Sequence, residues 1–150
     1  MFIIIIRAAQ LKDKDAVCIL WQKLISFYGK EAPIKTVEKT FTTSLANKDQ
    51  FILLAEIDGK VIGTAALYAG HYSTWSDTWY GHIEDVYVDE NYRRRGVAEN
   101  LVRELLKLAK THGLSRVELH TLKDNVAAHK LYEKIGFTSS SILYEYGLSQ

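Results

Sequence analysis

With a single cysteine, Cys18, in 150 residues, the chain can close no internal disulfide and can build no zinc site from clustered thiolates. A reducing compartment, the cytosol, is the expected setting. Proline is equally scarce, Pro33 being the only one. No Gly/Ser/Pro-rich tract interrupts the chain and no repeat runs through it, so one domain over residues 1–150 is expected. An excess of charge of one sign is lacking too. Nineteen Lys and Arg stand against 18 Asp and Glu, for a net charge of +1. That removes any general electrostatic ground for nucleic-acid binding; the one basic cluster is Arg93 to Arg95. Long apolar runs are also missing. The run Met1 to Ile6 stops at Arg7, too short for a secretory leader or a membrane span, so no membrane partner is expected. The five histidines show no H-E-x-x-H or similar spacing, and no metal is expected.

What is present suits a self-sufficient core: 47% of residues are apolar and 25% charged. Residues 2–8 are rich in β-branched side chains and predict a strand. Asp13 or Asp15 opens a helix carrying Val17, Leu20, Trp21, Leu24 and Tyr28 at helical spacing, and Gly29 ends it. Val37, Phe41 and Leu45 predict a second helix over 36–46. Apolar strands over 51–57 and 61–68 flank Asp58-Gly59, a strong hairpin signal. Residues 70–80 are polar and aromatic, a loop or ragged strand ends, and 82–88 is a further strand. A turn over 89–95 leads into a helix over 96–111 whose apolar face is Val97, Leu101, Leu105 and Leu108. A strand over 117–122, a helix over 126–135 stopped by Gly136, and one or two strands in 137–148 complete the chain. Early hairpins followed by helical crossovers predict one mixed α/β sheet with helices on its faces, strands 82–88 and 117–122 being parallel neighbours.

Three segments carry chemistry. In the first, the strand Val86-Tyr87-Val88 runs through a turn into Arg93-x-x-Gly96-x-Ala98 and a helix. First-turn amides and the helix dipole form an anion site, and Gly96 and Ala98 let a phosphate approach the backbone. A charged loop capping an ordinary helix fits the same residues. In the second, Asn125, His129 and Tyr132 fall at i, i+4 and i+7 on one helix face. The Tyr132 hydroxyl is then either a proton donor or a half-buried packing group. In the third, Glu84 and Asp85 face opposite sides of their strand unless a bulge intervenes. One of them can bind a cation or act as a base, or both are plain edge-strand carboxylates. The aromatic residues Tyr68, Tyr72, Trp75, Trp79 and Tyr80 crowd the segment before Glu84, where they suit either cation–π binding or a dimer contact.

Together, Arg93-x-x-Gly96-x-Ala98, the run "NVAAHKLYEKIGF" from Asn125 to Phe137, and the β-α-α-β-β-β-α-β-α-β order resemble the GNAT superfamily of N-acetyltransferases. The segment "GHIEDVYVDENYRRRG" narrows the resemblance to its diamine branch, the spermidine/spermine-type and thialysine-type enzymes. The longer, more aromatic loop from Trp75 to Tyr80 departs from that branch. The resemblance implies a central mixed, mostly antiparallel sheet of about seven strands with about four helices on its faces. It implies acetyl-CoA as cosubstrate and a homodimer. Free backbone groups of Val86-Tyr87-Val88 would pair with the pantetheine arm. Arg93, Arg94, Arg95, Gly96, Val97, Ala98 and Glu99 would hold the pyrophosphate, and Asn125 would contact the pantetheine or acetyl region. Glu84 would take the amine's proton, Tyr132 would protonate the departing thiolate, and Asp85 and Tyr28 would join Glu84 in contacting substrate. The implied reaction is direct attack of a primary amine of a small cationic molecule, a polyamine or amino-acid-like amine, in a ternary complex. Acetylation of a protein or peptide amine, and a non-catalytic acyl-CoA-binding module, use the same residues.

Overall fold

Alternation of apolar residues along consecutive strands builds a sheet whose two faces bury different helices. The computed structural model describes residues 2–148. Its elements are β1 (Ile5–Ala8), α1 (Lys14–Phe27), α2 (Ile34–Ala46), β2 (Gln50–Ile57), β3 (Lys60–Ser73), β4 (Thr78–Val88), α3 (Val97–Thr111), β5 (Val117–Leu119) and α4 (Val126–Ile135). The chain divides into two compact units, the first ending at His120 and the second beginning at Thr121. All five strands and α1–α3 belong to the first; α4 belongs to the second.

The sheet runs β1-β2-β3-β4-β5. Its pairs are antiparallel except the last, where the α3 crossover makes β5 parallel to β4 as expected. Asp58 and Gly59 both have positive φ, 48° and 78°. That is the backbone of the two-residue hairpin whose twist matches its strands. Ile52, Leu54 and Ala66 join Val17, Cys18 and Trp21 of α1 and Val37 and Phe41 of α2 in one cluster. On the opposite face Gly63 lets α3 come close. A Cβ there would lie 3.2 Å from Val97 Cγ1 and 3.3 Å from Leu101 Cδ1. Val97, Leu101, Val102, Leu105 and Ala109 of α3 are buried. Each large side chain so buried contributes about 1.5–3 kcal/mol.

Several boundaries differ from expectation; β5 ends at Leu119 rather than at 122. The first strand pairs only from Ile5, opposite Glu56. β2 ends one residue later, at Ile57, so residues 2 and 3 lie beyond the end of β2, and both are exposed. The segment over 70–80 is more regular than its composition suggests: β3 runs on to Ser73 and β4 starts at Thr78. Tyr72 and Trp79 pack edge to face across the hairpin at 5.1 Å. Residues 137–148 form no strand, so the described sheet has five strands rather than about seven. Ile142, Tyr144, Tyr146 and Leu148 are exposed; alternating apolar residues mark a side-chain pattern, but a strand also needs a ladder partner. Among the described residues, no helix is long and apolar enough to cross a membrane.

Candidate active site

The end of β4 is shaped by a one-residue bulge. Ala66 pairs with Glu84 and Thr64 with Tyr87, so Asp85 and Val86 together oppose Ala65. Asp85 takes φ +54° to make this step, a left-handed conformation that Asp tolerates better than most residues. The strict alternation that would separate Glu84 from Asp85 is therefore broken, the exception the sequence left open. Asp85 is half-buried, and its carboxyl is pushed up from 3.8 to about 6, first by loss of solvation and then by the neighbouring Glu84 charge. Perturbations of this kind concentrate at functional sites. On the other edge, β5 pairs with β4 only at Gly81, His82 and Ile83. Glu84 to Val88 run on past the last β5 partner.

The turn after β4 is held from several sides. The buried Asp89 accepts from the Asn91 amide at 3.0 Å and pairs with Lys23 of α1 at 3.3 Å. Burial alone would raise its carboxyl, but the Asn91 amide and Lys23 bring it below its ordinary value. Arg93 Nε donates to the Val88 carbonyl at 3.1 Å, and its guanidinium lies 5.4 Å from the Tyr87 ring. The Arg95 guanidinium lies over Phe2 at 5.0 Å and over Tyr92 at 5.4 Å. Arg94 and Gly96 are left-handed, with φ 64° and 76°. Turns of this type gather successive amides into anion-binding concavities. α3 starts at Val97 with no side-chain cap; its first ladder bond runs from Asn100 N to Gly96 O at 3.0 Å. That leaves the Val97 and Ala98 amides ahead of the ladder. A Cβ on Gly96 would meet nothing within 4 Å, so the space beside these amides is open. Glu99, in the same turn, pairs with Arg103 at 2.9 Å. An anionic diphosphate fits this open, cationic, amide-lined turn.

Tyr28 is the C-cap of α1, exposed, its ring edge-on to Phe27 at 5.5 Å. In the second unit, Asn125 is the N-cap of α4, its carboxamide oxygen accepting from the Ala128 amide at 3.2 Å. That oxygen is engaged within the chain, which leaves the amide donors for a ligand. His129 turns to the carbonyls of Leu122 and Lys123, both at 3.1 Å. Tyr132 is half-buried and packs edge to face on Phe137 at 5.7 Å. The named residues thus fall in two groups: Tyr28 and Glu84 to Glu99 in the first unit, Asn125 and Tyr132 in the second. Among the described residues, no three His, Cys, Asp or Glu side chains are placed to hold a metal ion.

The model of the acetyltransferase (GNAT) family matches residues 18–137. The chain belongs to that family. The matched stretch runs from α1 through α4 and contains both groups. Thialysine N-epsilon-acetyltransferase of Caenorhabditis elegans is 32% identical over 110 residues, covering 73% of this chain and 67% of that protein. N-acetylaspartate synthetase of Rattus norvegicus is 31% identical over 126 residues, covering 74% of this chain and 38% of that protein. This chain therefore spans about two-fifths of the length of the N-acetylaspartate synthetases it matches. An acetyltransferase from Clostridium acetobutylicum, solved with acetyl-CoA, superposes with a TM-score of 0.82 over 97% of both chains. At 23% identity that likeness is one of fold. As a GNAT chain, the protein has the mixed sheet and four helices expected of it, with five strands described.

Sequence reasoning passed over two supports of the GNAT turn. Lys23 reaches Asp89 from 66 positions away, and Phe2 offers its ring to Arg95. Neither contact leaves a local signal, because both depend on how distant segments pack.

Proposed function

We propose that this chain forms a single N-acetyltransferase domain over residues 1–150. It moves acetyl from acetyl-CoA to a primary amine of a small cationic molecule by direct attack in a ternary complex. The observation that carries the proposal is the bulge at Asp85, followed within a few residues by an open cationic turn. It sets two carboxylates on the stretch of β4 that β5 leaves unpaired, one of them shifted towards neutrality, just ahead of the open Arg93–Ala98 turn. The acetyl-CoA reading also draws on the relative solved with that ligand.

The residues divide the work by chemistry. Amides at Val97 and Ala98, with Arg93 to Arg95, Gly96 and Glu99 around them, take the pyrophosphate. The Val86-Tyr87-Val88 edge offers backbone partners to the pantetheine arm, and Asn125 its amide donors. An alkylamine is protonated at neutral pH, so Glu84 and Asp85 first hold the ammonium, with Tyr28 beside the substrate. Glu84 then removes the proton as the site dries. Tyr132, with an ordinary phenolic pKa of roughly 10, gives its proton to the departing thiolate. No metal enters this scheme. The relatives named for thialysine and N-acetylaspartate differ in the charge of their acceptors. The paired carboxylates of this chain favour the cationic class. We further propose a homodimer, for which the exposed Trp75 and the Tyr72–Trp79 pair are suitable contacts, and a cytosolic setting.

The test is release of CoA from acetyl-CoA with a panel of polyamines, thialysine, lysine, aminoglycosides and aspartate. Turnover with the cationic amines supports the proposal. Preference for aspartate, or for a peptide N-terminus on an array, overturns the substrate class. CoA binding without any turnover overturns the enzyme reading.

A further inference from the structure

Three imidazoles converge on the part of the sheet that carries Glu84. His71 lies on β3, His82 on β4 and His120 just past β5. Alternation puts Tyr80, His82 and Glu84 on one face of β4, and Tyr68 of β3 stands across from His82. The His82 and His120 rings touch, with centroids 4.7 Å apart. His71 lies 6.3 Å from His82 and stacks on Tyr80 at 5.1 Å. Arg116 lies over the Tyr80 ring at 3.8 Å and pairs with Glu118 at 3.0 Å. His82 is half-buried and His120 exposed, so the touching pair spans from the interior of this face to solvent.

We propose that His82 relays the acceptor amine's proton from Glu84 to His120 and so to water. This rests on the acetyl-transfer reading above, in which Glu84 must be deprotonated again before each new turnover. Glu84 is itself only half-exposed beside a second carboxylate, so a proton left on it needs a way out. In the relay the Glu84 carboxylic acid gives its proton, through an intervening water, to the free ring nitrogen of His82 and regains its negative charge. The His82 imidazolium gives up the proton on its other nitrogen to His120, which releases a proton to water, and a turn of the His82 ring then returns a free nitrogen towards Glu84. One proton moves at each step and no electrons are transferred between groups. The groups facing His82 are Glu84 on its own strand, Tyr68 and His71 from β3, and Glu118 and His120 from the β5 side. Burial, then His120, hold its pKa below the ordinary 6.5, against the opposing pull of Glu84 and Glu118. The ring is therefore neutral at pH 7 and ready to accept. His82 acts through Glu84 and not on the substrate.

The experiment compares wild type, His82→Gln and His120→Gln as full chains, with acetyl-CoA and a cationic amine that wild type turns over. For His82→Gln, kcat is expected to fall at least roughly 10-fold, below the roughly 10²–10⁴ of a group acting directly on substrate, with KM for acetyl-CoA unchanged. Added imidazole then restores kcat in proportion to its concentration and leaves wild type unaffected. His120→Gln, a change at an exposed residue, shows a smaller fall with the same rescue. The relay is overturned if both variants keep kcat within about twofold of wild type, or if imidazole restores neither. Absence of turnover by wild type with every amine is a separate result: it removes the acetyl-transfer reading, and the relay with it.

Discussion

Replacing Asp85 by Asn should make the protein more stable at neutral pH while impairing catalysis. The Asp85 carboxyl is pushed from 3.8 up to about 6 in the folded protein. The folded state therefore favours the protonated acid. That contribution is present in full below about pH 4 and is lost as pH rises through about 6. Above that, folding has to hold a poorly solvated carboxylate beside Glu84. A shift of about two units corresponds to about 3 kcal/mol; partial solvation of a half-buried group reduces the expected gain to about 1–3 kcal/mol. Asn removes the charge, and it tolerates the φ of +54° as Asp does, so the bulge itself is not at risk. At pH 8 the variant should melt about 2–12 °C above wild type, given about 2–4 °C per kcal/mol for a chain of this size. At pH 4 the two should melt together. The assay is thermal unfolding of both proteins across that range, with CoA release measured in parallel. A variant no more stable than wild type at pH 8, or a gain equally large at pH 4, refutes the account of Asp85 as a carboxylate held against its solvation preference. A gain in stability with lost turnover is the usual signature of a site kept strained for function.

Three further outcomes follow from the same geometry. Gly96→Ala should cost about 1–2 kcal/mol of stability from the left-handed backbone alone, since the added Cβ meets nothing. It should also weaken CoA binding at least roughly 10-fold by occupying the phosphate's approach; unchanged affinity by calorimetry would place the pyrophosphate elsewhere. Tyr132→Phe should lower kcat on the order of 10²-fold with little change in CoA affinity, and an unaltered kcat removes Tyr132 as the proton donor. Asp13→Ala should destabilise by about 2–4 kcal/mol, because it removes both 2.8 Å contacts to Arg7 and the Gln10 amide's acceptor. In wild type the Arg7 contact holds the Asp13 carboxyl below its ordinary value. The difference between the two proteins in urea unfolding should therefore fade only as pH drops below about 4; a loss under about 1 kcal/mol would make the network incidental.

Much of the fold was legible because its signals are local. Asp58-Gly59 demands a two-residue turn with positive φ at both positions, and the strands on either side follow from it. The apolar stripe of α3 marks a buried face whichever sheet it meets, and Val97, Leu101 and Leu105 are buried as their spacing requires. Asp124 or Asn125 before an apolar helix and Gly136 after it mark both ends of α4, and the structure makes Asn125 and Gly136 the caps. Where the pattern needed a partner to become structure, it misled. Residues 2–4 and 137–148 have strand composition, but composition specifies neither a free edge nor a ladder.

The same distinction governs the candidate site. Arg93 to Ala98 was readable as a candidate anion cradle because the helix start, the glycine and the arginines are contiguous, and Gly96 is left-handed there. The carboxylates were visible only as a pair. Their relation depends on one extra residue in β4 opposite Ala65, and nothing within "IEDV" announces a bulge. The bulge arises from the register between two strands, β3 and β4, as does the placing of His82 across from Tyr68. The contact of His82 with His120 depends on the short parallel β5 beyond α3. In this chain the features proposed to face the cofactor are written in neighbouring residues, and those proposed to face the acceptor in contacts between distant strands. The acceptor is therefore the less legible half, and Asp85→Asn and His82→Gln probe the two tertiary contacts on which it depends.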